Sequence, residues 1–222
     1  MKVLASAVLS LLVLIPIAAQ APVPVANEPR HHLKFENQYV RVFDVQVPPG
    51  DTTLFHTHSN DYLFVSIGDA TLKAEVMGAQ PGDLIVKDGD CRYSKAPITH
   101  RVINIGKDLF RNITIEVLKS PGAVAATQAK ETPGHTLVLD NERVHVERLV
   151  IEPGKSVSTH THQRSGLGVV VSAAHIQIDS PGQKPRTAKS EPGAFQWFDG
   201  PVTHSMKNIG KTRFEAIHID WK

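Results

Sequence analysis

Apolar and polar residues alternate in short segments along most of this chain. In residues 39–47 valines alternate with mostly polar side chains, the period of two that is typical of a half-buried strand. Turn residues follow at 48–51 and 79–83, and no segment after residue 30 has a helical period. The remaining predicted strands are residues 54–58, 62–67, 84–86, 101–105 and 112–118. This pattern predicts an all-β sandwich or barrel.

The pattern occurs twice. His56-Thr57-His58 recurs 104 residues later as His160-Thr161-His162, and residues 97–116 recur with the same offset as 201–220. Residues 33–58 align with 137–162 without a gap. Between these blocks we pair the Pro-Gly dipeptide at 81–82 with that at 192–193, which implies a longer hairpin before the turn in the second copy. We therefore predict domains at 33–119 and 135–222, joined by a Pro-, Gly- and Ala-rich linker at 120–134.

The N-terminus resembles an export signal. Residues 1–19 carry a lysine at position 2 and continue as an almost wholly apolar run, which predicts a signal peptide cleaved after Ala19 or Ala21. Residues 20–32 are predicted to be an extended arm. We expect a periplasmic or secreted protein without a stable membrane span after cleavage.

Composition narrows the possible partners. The net charge of +2, without a long charged run, argues against nucleic acid as a partner. Cys91 is the only cysteine, so the chain has no internal disulfide, and we expect a buried, inert thiol. The oligomeric state is left open.

The doubled histidines predict two metal sites. Side chains two residues apart on a strand lie on one face, so each His-x-His pair presents two imidazoles together, and a third histidine on a neighbouring strand can complete one side of a metal ion. The predicted ligands are His56, His58 and His100 in the first copy, and His160, His162 and His204 in the second. Three histidines suit Fe, Mn, Ni or Zn without choosing between them.

These motifs resemble those of the cupin superfamily. Gly50-x5-His56-x-His58 with Pro97-x2-His100-x3-Asn104 is similar to the two cupin motifs, and Gly154-x5-His160-x-His162 with Pro201-x2-His204-x3-Asn208 repeats them. The resemblance covers residues 33–222 and implies a bicupin, in which two tandem jelly-roll barrels (double-stranded β-helices) follow the signal peptide. It also implies a divalent transition metal near each barrel mouth, held by the six histidines.

One ligand of the family pattern is missing. Most metal cupins carry a glutamate about four residues after the second histidine, where this chain has Tyr62 in the first copy and Gly166 in the second. Asp61 lies one residue short, and strand alternation turns it away. Three neutral histidines leave the charge of a divalent ion uncompensated, which favours an anionic or chelating small-molecule substrate.

Other residues are weaker candidates for substrate binding. Tyr62 is a phenol donor or a strand aromatic, Asn104 and Asn208 orient the site or make structural hydrogen bonds, and Arg164 holds a carboxylate or is solvated. Trp197, with Phe195 and Phe198, walls a pocket or packs the barrel. The histidines outside the doubled motifs are treated as background, although His218 is placed to face the second barrel's interior; they are His31, His32, His135, His145, His175 and His218.

Two function classes remain. The first is a metal-dependent enzyme, with a dioxygenase of the quercetinase or small-acid type as the leading reaction and an isomerase or lyase next. The second is a non-catalytic exported protein that binds a small ligand or a metal. The catalytic residues, the substrate and the active barrel stay open at this point.

Overall fold

The computed structural model describes residues 21–122 and 134–222. The predicted signal peptide and most of the predicted linker lie outside the described residues, so both stay predictions. In the described part of the chain, no helix is long and apolar enough to cross a membrane.

The fold is nearly all strand, as predicted. One 3₁₀ turn, Val25–Asn27, accompanies the strands of the first copy. These strands are β1 Val23–Pro24, β2 His31–Glu36, β3 Val40–Val47, β4 His56–His58, β5 Tyr62–Ile67, β6 Ala70–Val76, β7 Gly82–Val86, β8 Cys91–Ser94, β9 Ile98–Asn104 and β10 Phe110–Val117. Those of the second copy are β11 His135–Asp140, β12 Val144–Ile151, β13 Ser156–His162, β14 Gly166–Val170, β15 Ala174–Asp179, β16 Arg186–Ser190, β17 Phe195–Phe198, β18 Val202–Asn208 and β19 Phe214–Trp221.

Each copy forms a two-sheet jelly roll. In the first barrel the sheets have the strand orders β1-β4-β9-β6-β7 and β2-β3-β10-β5-β8. In the second barrel they are β13-β18-β15-β16 and β11-β12-β19-β14-β17. All neighbouring strands are antiparallel except the short β1, which pairs in parallel with β4. The two tandem barrels predicted from the repeat are confirmed.

The two barrels share a core. Strand β10 shows the division, because Thr114 and Glu116 face its own barrel whereas Ile113 and Ile115 point toward the other barrel. The apolar residues between the barrels form one cluster, the inter-barrel core: Val40, Val42, Leu63, Val65, Ile113, Ile115, Val117, Val144, Val146, Leu167, Val169, Val171, Ile217, Ile219 and Trp221. Separate apolar clusters lie in the interiors of the first and second barrels.

The repeat is ungapped, which corrects one expectation. Ala74 pairs with Gly82, and Ile178, 104 residues beyond Ala74, pairs with Arg186, 104 residues beyond Gly82. The hairpins therefore have equal length, and the turn glycine of Pro192-Gly193 corresponds to Gly89. Both glycines have positive φ, 74° and 81°. The pairing of 81–82 with 192–193 was wrong because strand register, and not a shared turn dipeptide, sets the equivalence.

The predicted arm is part of the first barrel. Val23 and Pro24 pair with His56 and Thr57, and the Val25 side chain is buried in the first barrel's core. Strand β2 already begins at His31. Residues 23–32 therefore close one side of this barrel, although their prolines and lack of periodicity gave no sign of it in the sequence.

Each barrel contributes one arginine that donates a hydrogen bond to the backbone of the other barrel. Arg111 of the first barrel pairs with Asp44 and donates to Pro192 O of the second barrel at 3.0 Å. Arg148, which occupies the position of Asp44 in the second copy, pairs with Glu215 and donates to Gly89 O at 2.7 Å. The ion pair is thus conserved between the copies with its charges exchanged.

Cys91 is expected to be unreactive in the folded protein. The thiol packs against the inter-barrel core, and burial raises its pKa to about 12. Because the thiolate is the reactive form, iodoacetamide at neutral pH should label the native chain more than about a hundredfold more slowly than the guanidinium-unfolded chain. Equal labelling rates in the two states would show that the thiol is accessible.

Candidate metal centres and substrate cavity

The first set of histidines converges inside the first barrel. Strand β4 presents His56 and His58 to the interior, and His56 lies directly opposite His100 of β9. The ring centroids of His56 and His100 are 4.5 Å apart, and those of His58 and His100 are 5.4 Å apart. Residues His56 and His58 are 1% exposed and His100 is half-buried, so the cluster is largely shielded from solvent.

The second set repeats this arrangement. His160 lies opposite His204, with ring centroids 4.7 Å apart, and the centroid of His162 is 5.2 Å from that of His204. The Nε2 atoms of His160 and His162 are 3.2 Å apart. Two nitrogens that each lie about 2.1 Å from one ion are separated by roughly 3.0–3.4 Å at coordination angles between 90° and tetrahedral. The two nitrogens are thus spaced as ligands of one metal.

Burial favours the neutral form of five of the six motif histidines. It lowers the pKa of His56 to about 3, of His100 to about 2 and of His204 to about 4, in each case chiefly by desolvation, with neighbouring histidines adding to the effect. The pKa values of His58 and His162 are also lowered, again mainly by burial. A neutral imidazole has a free lone pair, which is the form that binds metal.

Backbone contacts decide which nitrogen is free. His56 Nδ1 donates to Leu54 O at 2.9 Å, and His160 Nδ1 donates to the equivalent Ser158 O at 2.9 Å. The Nε2 atoms of His56 and His100 are buried without a hydrogen-bond partner. Buried nitrogens of this kind are costly unless something binds them, so this donor set fits a divalent transition metal.

Two further histidines join these clusters. His31 has its ring centroid 4.5 Å from that of His56, and His135 has its centroid 5.3 Å from that of His160. They were set aside as background in the sequence, although His135 follows His31 by the same 104 residues as the motif histidines. That offset was the signal that could have found them.

The positions of the missing glutamate are filled differently in the two copies. The ring of Tyr62 stacks on that of His58 with their centroids 3.9 Å apart, so Tyr62 is a buried aromatic neighbour of the first cluster. In the second barrel, where Gly166 has no side chain to stack on the histidine, the ring centroid of His162 is instead 3.9 Å from that of His218. His218 therefore faces the interior, as its alignment with Thr114 suggested. Asp61 points away and accepts hydrogen bonds from Tyr93 and Ala96.

A carboxylate lies behind one histidine in each barrel. Glu116 Oε1 is 3.5 Å from His58 Nδ1, and its other oxygen accepts from Arg41 at 2.9 Å. At the equivalent position Asp220 lies 2.9 Å from His218 Nε2. Asp220 is within hydrogen-bond distance of His218 and orients its ring, whereas Glu116 is a close neighbour of His58 without a hydrogen bond to it.

The second barrel contains a cavity of about 440 Å³ that reaches its histidines. His135, His162, His204 and His218 line the cavity. In the first barrel Phe43 and Val86 belong to the core, with Phe64 and Leu84 packed against it. The residues at these four positions of the second copy are Glu147, Ser190, Gly168 and Ala188. Loss of two phenyl rings and two aliphatic side chains explains why the second interior is hollow and the first is filled.

The cavity is electropositive at its wall. Arg186 of β16 lines it on the same strand face as Ala188 and Ser190, where the first barrel has Gly82. Among the residues that the structure describes, no aspartate or glutamate lines the cavity. Arg186 is the cation that sequence reasoning missed, because its role depends on the register of a hairpin that was misaligned.

Arg164 and Trp197 are not placed to bind a substrate in this cavity. Arg164 is not among the lining residues. The ring of Trp197 stacks on that of Tyr39 in the first barrel, with their centroids 5.9 Å apart, and it packs against the inter-barrel core. Phe198, one residue later and so on the other face of β17, lines the cavity with its ring 5.6 Å from His162. Packing is therefore the role of Trp197.

The two asparagines are structural. Asn104 Nδ2 donates to Val47 O and to Asp108 O, and its Oδ1 accepts from Gly106 N. Asn208 makes the equivalent bonds to Ile151, Thr212 and Gly210. Because these amides are fully used by the backbone, neither is free to hold a substrate, and the structural alternative holds for both.

Solved structures of other proteins share this architecture. No protein-family model matches the chain, and no curated protein matches it. The structure is similar to AerE from Microcystis aeruginosa, with a TM-score of 0.66 at 13% identity over 90% of this chain and 98% of that one. It is also similar to a cupin 2 conserved barrel domain protein from Leptotrichia buccalis, with a TM-score of 0.53 at 12% identity over 86% and 87%.

An enzyme from a third organism extends the comparison. A variant of salicylate 1,2-dioxygenase from Pseudoaminobacter salicylatoxidans matches with a TM-score of 0.58 at 13% identity, over 82% of this chain and 71% of that one. Identities this low show the fold alone. The chain has the fold of the cupin superfamily, with two cupin barrels in tandem, and its histidine clusters can hold a divalent metal.

Proposed function

We propose that this protein is a metal-dependent enzyme that acts on a small molecule in its second barrel. The observation that carries this proposal is the asymmetry between the copies: both contain the histidine cluster, but only the second of the two described interiors has lost the side chains that fill the space beside it. A substrate needs that space, and buried apolar cavities that end at polar groups are typical binding sites.

In the proposed second centre, His160, His162 and His204 hold the metal. A three-histidine metal with open positions supplies dioxygen activation, or polarisation of a bound carbonyl. Solved structures of this fold include the salicylate dioxygenase and an oxalate decarboxylase from Bacillus subtilis described with Mn(II) centres. A dioxygenase-type reaction is therefore the first one to test.

The proposed substrate is an anionic small molecule. Arg186 brings positive charge to the cavity wall, and neutral histidines leave the charge of a divalent ion uncompensated. The Arg186 guanidinium can hold a carboxylate through two parallel hydrogen bonds. The apolar part of the substrate would pack on Phe198 and Met206, which line the cavity.

Metal content tests the proposal first. Protein purified without a tag or chelator should carry about two equivalents of transition metal by plasma mass spectrometry, falling by about one in His58→Ala and in His162→Ala. With iron or manganese bound, oxygen uptake should appear with a small aromatic or aliphatic carboxylate and disappear in His162→Ala. Arg186→Ala should raise KM more than it lowers kcat, because it removes a contact made before the reaction.

Two outcomes would contradict this function. Less than about a tenth of an equivalent of metal after reloading would remove the metal centres. Full metal content with tight carboxylate binding but no turnover would instead establish the non-catalytic ligand-binding protein.

A further inference from the structure

We propose that His31 is the fourth histidine ligand of the first metal centre, oriented by the buried Glu28, and that His135 has the same place in the second. This inference rests on the proposed metal centres but adds a ligand from outside the two motifs. It also explains how the chain manages without the glutamate of the family pattern, since the fourth ligand comes from the start of β2 and not from the strand after the second histidine.

The geometry of the first barrel supports this assignment. The His31 ring lies 4.5 Å from His56 and 6.0 Å from His58, measured between centroids. One ligand nitrogen from each of these three rings lies within 4.8 Å of the other two. His31, His56 and His58 therefore form one set of ligand nitrogens, and His100 adjoins it with its ring centroid 4.5 Å from that of His56.

Glu28 fixes the direction in which His31 points. Its Oε2 atom lies 2.5 Å from His31 Nδ1 and also accepts from Arg30 N at 2.9 Å. Since Nδ1 is occupied by this carboxylate, Nε2 is the nitrogen left for the cluster. The carboxylate is 2% exposed, and a buried carboxylate behind a ligating histidine strengthens that histidine as a ligand.

The same glutamate ties the N-terminal segment to the strand that bears the motif. Glu28 Oε1 accepts from Leu54 N at 3.1 Å, and Leu54 O accepts from His56 Nδ1 at 2.9 Å. One residue therefore links the supports of both His31 and His56. The parallel pairing of Val23 with His56 holds the segment in place from the other side. His31 is thus positioned as rigidly as the motif ligands.

The second barrel repeats the histidine. His135 has ring centroids 5.3 Å from His160 and 5.9 Å from His162, and these three also offer nitrogens within 4.8 Å of one another. The residue 104 positions after Glu28 is Thr132, which lies outside the described residues. His135 also lines the cavity, so the proposed fourth ligand of the second centre lies beside the substrate space.

The test isolates the first centre within the full chain. In a His160→Ala/His162→Ala background, Zn(II) affinity is measured by competition with a chromophoric chelator, and the geometry of the site is followed by the visible absorption of bound Co(II). His31→Ala and Glu28→Gln should each lower the affinity by between roughly 10-fold and 100-fold. His32→Ala is the matched control, since this neighbouring histidine of β2 is exposed, and it should leave affinity and spectrum unchanged.

Added imidazole separates loss of a ligand from loss of the fold. If His31 is a ligand, free imidazole should restore the Co(II) spectrum of the His31→Ala variant. Unchanged affinity and spectrum in this variant would overturn the inference, as would a loss that imidazole cannot restore. Failure of the wild-type chain to bind metal at either site would instead contradict the proposed function, so the two failures are distinguishable.

Discussion

Gly168→Phe should lower turnover of the small-molecule substrate at least about 100-fold while leaving both metals bound, because it fills the space in which a ligand would be enclosed. Gly168 lies on the interior face of β14 and lines the cavity. A Cβ atom built there meets nothing within 4 Å, so the new ring can enter the cavity without displacing backbone. The substitution reproduces the first barrel, in which Phe64 occupies this position and packs against the filled core.

Gly82→Phe is the control for this experiment. Gly82 is also a strand glycine with nothing within 4 Å of a built Cβ, but it is exposed and belongs to the first barrel. Turnover, measured by steady-state kinetics, and metal content, measured by plasma mass spectrometry, should match the parent protein in this variant. If Gly168→Phe kept full turnover, the cavity would not be the substrate site. If it lost the second metal together with turnover, the loss of turnover could not be assigned to the filled cavity.

The fold could be predicted from the sequence because the repeat presents the pattern of most strands twice, so that each predicted strand could be checked in the other copy. Alternation in residues 39–47 predicted β3, and the doubled His-x-His pair predicted which face of β4 and β13 lies inside. Alternation also placed Asp61 away from the cluster, as the structure does. Such inferences need only the local period of two, which the backbone enforces wherever a strand forms.

The cavity could not be predicted because it depends on non-local register. The offset that pairs Tyr62 with Gly166 also pairs Phe64 with Gly168, but the loss of Leu84 and Val86 at Ala188 and Ser190 requires β7 to be aligned with β16, and the Pro-Gly dipeptide at 81–82 misled that alignment. A shift of one residue on β17 likewise separates Trp197, between the barrels, from Phe198, in the cavity. Aromatic composition alone does not distinguish these two roles.

The N-terminal ligand was missed for a different reason. The repeat was taken to begin at residue 33, so His31 fell in a proline-rich segment that has no periodicity. That segment is held in place by the buried carboxylate of Glu28 and by two residues of parallel pairing, neither of which leaves a pattern in the sequence. An offset shared by His31 and His135 was the available clue, and it required testing every histidine against the repeat.

A substitution in the first barrel should destabilise the second barrel. Leu63 is fully buried in the inter-barrel core, and Leu63→Ala removes contacts on both sides of it. We expect a loss of about 2–5 kcal/mol in the free energy of unfolding. Both tryptophans of the chain, Trp197 and Trp221, belong to the second barrel and contact the inter-barrel core, so their fluorescence during urea unfolding reports that barrel together with its packing on the first.

Leu33→Ala is the control, because it makes the same substitution at a leucine outside the inter-barrel core. Leu33 also belongs to the first barrel but is 51% exposed, so its truncation should change stability by no more than about 0.5 kcal/mol. If Leu63→Ala lowers the urea midpoint of the tryptophan transition and Leu33→Ala does not, the two barrels unfold as one unit through the core between them. A tryptophan transition that ignores Leu63→Ala would show that the second barrel folds independently, in which case the inter-barrel core would join two separately stable domains.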